Sequence, residues 1–158
     1  MAKASRFERL RSARIALVQA IFMQQMTGKI TQTVRNQFLN YFLDEEEITP
    51  IPVERQLFIG VLTTFETRQT DIQNFLESCL QGEWTLERMD PTLKAILSAG
   101  AAELLTTPLT SPAPVVVSDY VDIAKGFFDK EEKSFVNKAL DSFAQHLGHP
   151  MRQPTWKI

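Results

Sequence analysis

Apolar residues return at three- and four-residue steps in segment after segment of this chain, the period of one face of an α-helix, and almost nowhere in strict alternation. Between Ser5 and Gly28 the row is Leu10, Ala13, Leu17, Ala20 and Ile21, with Val18 slightly off-centre. Ser5 and Glu8 have capping-box spacing, in which each side chain satisfies the other's free backbone amide, and Gly28 suits a C-cap. A second helix is predicted from Thr31, carrying Val34, Phe38, Leu39 and Phe42 to the acidic run Asp44 to Glu47. From Pro52 the pattern Leu57, Phe58, Val61, Leu62, Phe65, Ile72, Phe75, Leu76 and Leu80 predicts one helix of more than about seven turns, the spine of the core. Gly82, Glu83 and Trp84 break it, with Trp84 beneath a short connecting turn.

The second half starts with Asp90 before Pro91, where a carboxylate accepts from free amides and proline occupies a position whose missing donor costs nothing. Leu93, Ile96, Leu97, Ala101, Leu104 and Leu105 follow on one face, and the slim run Ala99, Gly100, Ala101, Ala102 permits close approach of a neighbouring helix. Pro108, Pro112 and Pro114 define a loop. Val115 to Val117 favours extended chain locally, but Val117, Val121, Ala124, Phe127 and Phe128 continue at helical steps and no second strand exists to pair with it. Asp129 and Glu132 repeat the capping-box spacing before a last helix through Phe135, Val136, Leu140, Phe143 and Leu147 to Gly148. Residues 149–158 are expected to form a loose tail. The fold class is all-α, with six main helices and one possible short turn.

Composition excludes several functions. No apolar run approaches the roughly 20 residues that span a bilayer, and the opening MAKASRFERLR lacks the apolar stretch of a secretory signal, so a cytoplasmic location is expected. The one cysteine, Cys79, can neither close an internal disulfide nor build a zinc site. The carboxylates of Asp44 to Glu47 lack the spacing and glycine turn of a calcium loop. His146 and His149 stand without a carboxylate motif, and neither a phosphate-cradling glycine loop nor a nucleophile motif is present, so no metal, cofactor or catalysis is expected. The formal net charge of -2 conceals an asymmetry. Lys3, Arg6, Arg9, Arg11 and Arg14 face only Glu8 in the first 14 residues, which sets a basic arm on an acidic body. Such a segment attracts a phosphate backbone, or is a solvated terminus.

Four ordered motifs carry a resemblance. Ala13-Arg14-Ile15-Ala16-Leu17-Val18-Gln19-Ala20-Ile21-Phe22 resembles the opening of the NusB family, and three further matches follow in family order. These are Lys94-Ala95-Ile96-Leu97 running to Glu103-Leu104, then Val115-Val116-Val117-Ser118-Asp119 with Ile123-Ala124-Lys125, then Phe135-Val136-Asn137 with Leu140-Asp141. The resemblance implies a bundle of six to seven helices in two packed antiparallel subdomains, about 5–82 and 84–148, within a single RNA-binding domain over 1–158. It implies a transcription antitermination factor that binds boxA RNA together with the ribosomal protein NusE, acts on RNA polymerase with other Nus factors, and supports transcription of ribosomal RNA operons.

For the site, the resemblance implies Arg11, Arg14, Phe22, Lys125, Phe127, Phe135 and Asn137, and the basic Lys3 and Arg6 join them without one-for-one alignment. Phe22 stands where the family often has tyrosine. Cations for phosphate and aromatic faces for unstacked bases are the usual equipment of single-strand readers. Each residue has a structural alternative. Arg14 lies near the apolar stripe and suits a buried ion pair as well as a phosphate contact. Phe127 and Phe135 have core spacing, Asn137 could satisfy backbone groups, and Lys125 could be a solvated flank. A protein-interaction adaptor of the same fold, with weak or lost RNA binding, is the alternative function.

Overall fold

The computed structural model describes residues 5–29, 31–44, 53–80 and 88–151. Seven α-helices lie among them: α1 (Arg6–Thr27), α2 (Thr31–Asp44), α3 (Arg55–Thr67), α4 (Gln69–Ser78), α5 (Pro91–Leu105), α6 (Ala113–Lys125) and α7 (Lys130–His146). Lys3, most of the acidic run after Asp44, Pro52, Trp84 and the last seven residues fall outside the described residues.

Two of the predicted helix starts form as the sequence dictates. Ser5 Oγ accepts from the Glu8 amide and Glu8 Oε1 accepts from the Ser5 amide, so both halves of the capping box are made. These bonds also hold the Glu8 carboxyl below its ordinary pKa. Asp90 Oδ1 accepts from the amides of Thr92 and Leu93, with Pro91 in the first turn. Gly28 ends α1 at φ 70°, a left-handed conformation that costs glycine nothing. At α7 the cap position is right but the expected bond is absent: Asp129 makes no side-chain bond to the first turn.

The single long helix predicted from Pro52 is in fact two. Arg68, at φ -116° and ψ 34°, leaves the helical region between α3 and α4. The preceding turns carry bonds that favour a bend. Thr63 donates its hydroxyl to the Ile59 carbonyl, Thr64 to Gly60, and Thr67 to Thr63, and such back-bonding bends helices. Beyond the break Arg68 Nε lies 2.6 Å from Asp71 Oδ2.

The spine of the core is α5, not the segment after Pro52. Every residue from Ala95 to Leu105 is buried, and α5 packs against α1, α3, α4, α6 and α7. A helix apolar on all sides can be central in this way, and each buried leucine or isoleucine contributes about 1.5–3 kcal/mol. The small residues at its middle admit α7: a Cβ on Gly100 would stand 2.7 Å from Leu140 Cδ1, so the Leu140 side chain fills the space over the glycine and would have to shift for a larger residue. Val115 to Val117 are helical within α6, as their spacing with Val121 and Ala124 requires. The helix stops at Lys125, however, so Phe127 and Phe128 do not extend it.

The start of the expected loose tail is tied down. His149 places Nε2 2.7 Å from the Leu104 carbonyl oxygen, and because a carbonyl only accepts, the ring nitrogen donates. This satisfies a carbonyl of the last turn of α5, and Met151 packs against the core beyond it.

Candidate nucleic-acid interface

Two arginines one turn apart on α1 have different surroundings. Arg14 has no exposed surface. Its Nε donates to Glu103 Oε1 at 2.9 Å and its Nη2 to Glu103 Oε2 at 2.7 Å, a bidentate pair that matches the planar fork of the guanidinium. Nη1 donates to Asp119 Oδ2 at 3.0 Å, and Nη2 also donates to Ser111 Oγ at 3.1 Å. The Tyr120 hydroxyl donates to Glu103 Oε1 at 2.8 Å. Helices α1, α5 and α6 are thus pinned through one charged knot.

Burial works against the charge on Arg14, but the Glu103 carboxylate outweighs it, helped by Tyr120 and Asp119, and the guanidinium is held above its usual pKa. For Tyr120, burial and then Glu103 raise the phenol well above its ordinary value. The phosphate contact considered for Arg14 is therefore corrected. Its donors are engaged inside the protein and no nucleic acid reaches them.

Arg11 closes the knot from outside. Its Nε lies 2.8 Å from Asp119 Oδ1, a charge contact not aligned as a hydrogen bond, and its Nη2 lies 3.2 Å from Asp122 Oδ2. Asp119 is thereby shared between a sealed arginine and a half-exposed one. Sequence reasoning missed Glu103, Ser111, Asp119 and Tyr120 as a set. The available signal was an acidic residue in phase with apolar ones: Glu103 falls one heptad after Ile96, and Asp119 falls between Val116 and Ile123.

The other site residues among those described range from exposed to half-buried. Arg6 is exposed in the first turn of α1 and makes no ion pair among the described residues. Lys125 is exposed at the end of α6, one turn beyond the Asp122 that Arg11 contacts. Phe127 in the turn after α6 is 63% exposed, against the core placement that its spacing suggested. Its ring centroid lies 6.4 Å from that of the half-buried Phe128. On α7, Phe135 is half-buried against the core and Asn137 is exposed. Phe22 is half-buried on the stripe of α1 that carries Arg11, about 16 Å farther along the helix. The structure thus links the start of α1 to the α6–α7 corner through Arg11, and places Phe22 toward the other end of α1.

The sequence model of the NusB family matches residues 11–145. The chain belongs to the NusB family. It is 37% identical over 143 residues to the transcription antitermination protein NusB of Granulibacter bethesdensis, covering 86% of this chain and 87% of that protein. The protein of the same name from Bartonella quintana is 33% identical over 138 residues, covering 86% of this chain and 88% of its own length. Among solved structures, T. maritima NusB superposes with a TM-score of 0.68 at 21% identity, covering 91% of this chain and 93% of that one. NusB from Aquifex aeolicus gives a TM-score of 0.56 at 20% identity, over 97% and 99%. The all-α NusB fold is thus shared at low identity. Among the described residues no helix is long and apolar enough to cross a membrane.

Proposed function

We propose that this chain is a non-catalytic transcription antitermination factor that binds the boxA element of ribosomal RNA transcripts together with NusE, and so supports processive transcription by RNA polymerase with other Nus factors. The observation that carries the reading is Phe127, a large ring more than half in solvent, two residues after the exposed Lys125. Burial of a phenylalanine stabilises a fold, so its exposure beside a cation suits an unstacked base of a single strand. Arg6 on α1 and Asn137 on α7 extend the proposed surface, with the half-buried Phe135 on α7 and the half-buried Phe22 farther along α1. Lys3 joins them by its position in the sequence. The names of the relatives support the antitermination role.

One observation favours the adaptor with weak RNA binding: the charge of Arg11 is already met by Asp119 and Asp122. Titration with boxA RNA and a scrambled strand, each with and without NusE, separates the two readings. The antitermination reading expects tighter binding of boxA, strengthened by NusE, with affinity falling steeply as salt rises. Equal binding of both strands under all conditions discards it.

A further inference from the structure

Phe7 lies in phase with the buried row Leu10, Arg14, Leu17 and Ile21, one turn before its first member, and that phase assigns it to the core. It is instead 53% exposed. The Arg11 guanidinium carbon lies over its ring, 6.0 Å from the centroid, and about half of the residue's surface remains open to solvent. Arg6, exposed and without an ion pair among the described residues, is its neighbour in sequence. Arg11 in turn touches Asp122, one turn before Lys125 on α6. An exposed aromatic ring backed by a guanidinium and flanked by a free cation therefore sits on the side of α1 that is tied to the α6–α7 corner.

We propose that Phe7 is a second base-stacking platform, on which single-stranded RNA lays an unpaired base while an adjoining phosphate meets Arg6. This rests on the RNA-binding reading above and adds a contact at the far side of the Arg11 bridge from Phe127. The chemistry favours a base over an apolar protein segment. A guanidinium under one face of a ring orders that ring without covering the other face, and the neighbouring positive charge suits phosphate rather than a hydrocarbon surface. One strand then contacts two rings, one on each side of the ion-paired seam between α1 and α6.

The test is the affinity of the full chain for boxA RNA, measured as a function of salt for wild type and for Phe7→Ala, Phe7→Leu, Phe7→Trp and Arg6→Ala. Stacking is worth about 1–3 kcal/mol per base, so Phe7→Ala should weaken binding roughly 5- to 150-fold. It should leave the salt slope unchanged, because a neutral ring displaces no counterions, whereas Arg6→Ala should reduce the slope by about one ion. Phe7→Trp should keep wild-type affinity and lose indole fluorescence on binding, and Phe7→Leu should bind as poorly as Phe7→Ala. Wild-type affinity in Phe7→Ala, full rescue by Phe7→Leu, or a loss confined to NusE binding overturns the platform while leaving the RNA reading intact. Failure of the wild type to bind boxA RNA removes both.

Discussion

The interior knot around Arg14 and the surface reaching from Phe7 to the α6–α7 corner use the same residue types in opposite ways. In the knot a cation is sealed, its donors are met by Glu103, Asp119 and Ser111, and the Tyr120 hydroxyl donates a further bond to Glu103. At the surface, rings and cations are left with open faces: Phe127 is 63% exposed and Phe7 53%. The difference teaches that an arginine's role here is decided by its partners, not by its place in a basic segment. Arg14 pins three helices, Arg6 is exposed with no ion pair among the described residues, and Arg11 lies between, bound on its inner side and half-exposed on its outer side.

Breaking the knot should have the largest effect on folding. Arg14→Ala leaves two buried carboxylates with only Arg11 to offset them, and removing one partner from a buried pair costs about 3–5 kcal/mol. Chemical denaturation should show a loss of that size, and an undiminished midpoint would remove the knot from the account of stability. Arg11→Ala should be intermediate, at about 1–2 kcal/mol, because it strips one counter-charge from Asp119 while Arg14 remains.

Tyr120→Phe sharpens the same point. It removes one donor to Glu103 and should cost about 1 kcal/mol at neutral pH. The phenol also links the knot to alkaline pH. An unfolded tyrosine ionises near 10.0, and the folded one is raised well above that, so its contribution is complete below pH 10 and is lost as the pH climbs toward the folded value. Phenolate absorbance should show a tyrosine that ionises only as the chain unfolds, and Tyr120→Phe should abolish that late phase. On the surface, Phe127→Ala should change stability by no more than about 0.5 kcal/mol while weakening boxA RNA. A melting loss as large as that of Arg11→Ala would make Phe127 a packing residue.

Much of the fold was legible because its signals are local. Ser5 with Glu8, and Asp90 with Pro91, act within one turn, and the steps through Val117, Val121 and Ala124 outweighed three β-branched residues in a row. What was not legible depends on distance or on where a helix stops. Arg14's partners lie 89 and 105 residues away, so periodicity identified a stripe without revealing what faced it. The break at Arg68 follows a run of threonine hydroxyls bonded to backbone carbonyls one turn back, a local feature that leaves the apolar pattern intact. Phe127 and Phe7 kept core phase, but α6 ends at Lys125 before the first and the buried row of α1 begins only at Leu10 after the second. Phase alone does not say where packing ends.

Chemical-shift mapping of the isotope-labelled chain as boxA RNA is added tests the central claim most directly. The account predicts shifts concentrated at residues 6–11 and 125–137, with smaller ones at Phe22, and with Glu103 and the rest of the buried knot little changed. Shifts concentrated on α2 and α3, or an unchanged spectrum at saturating RNA with NusE present, would contradict it.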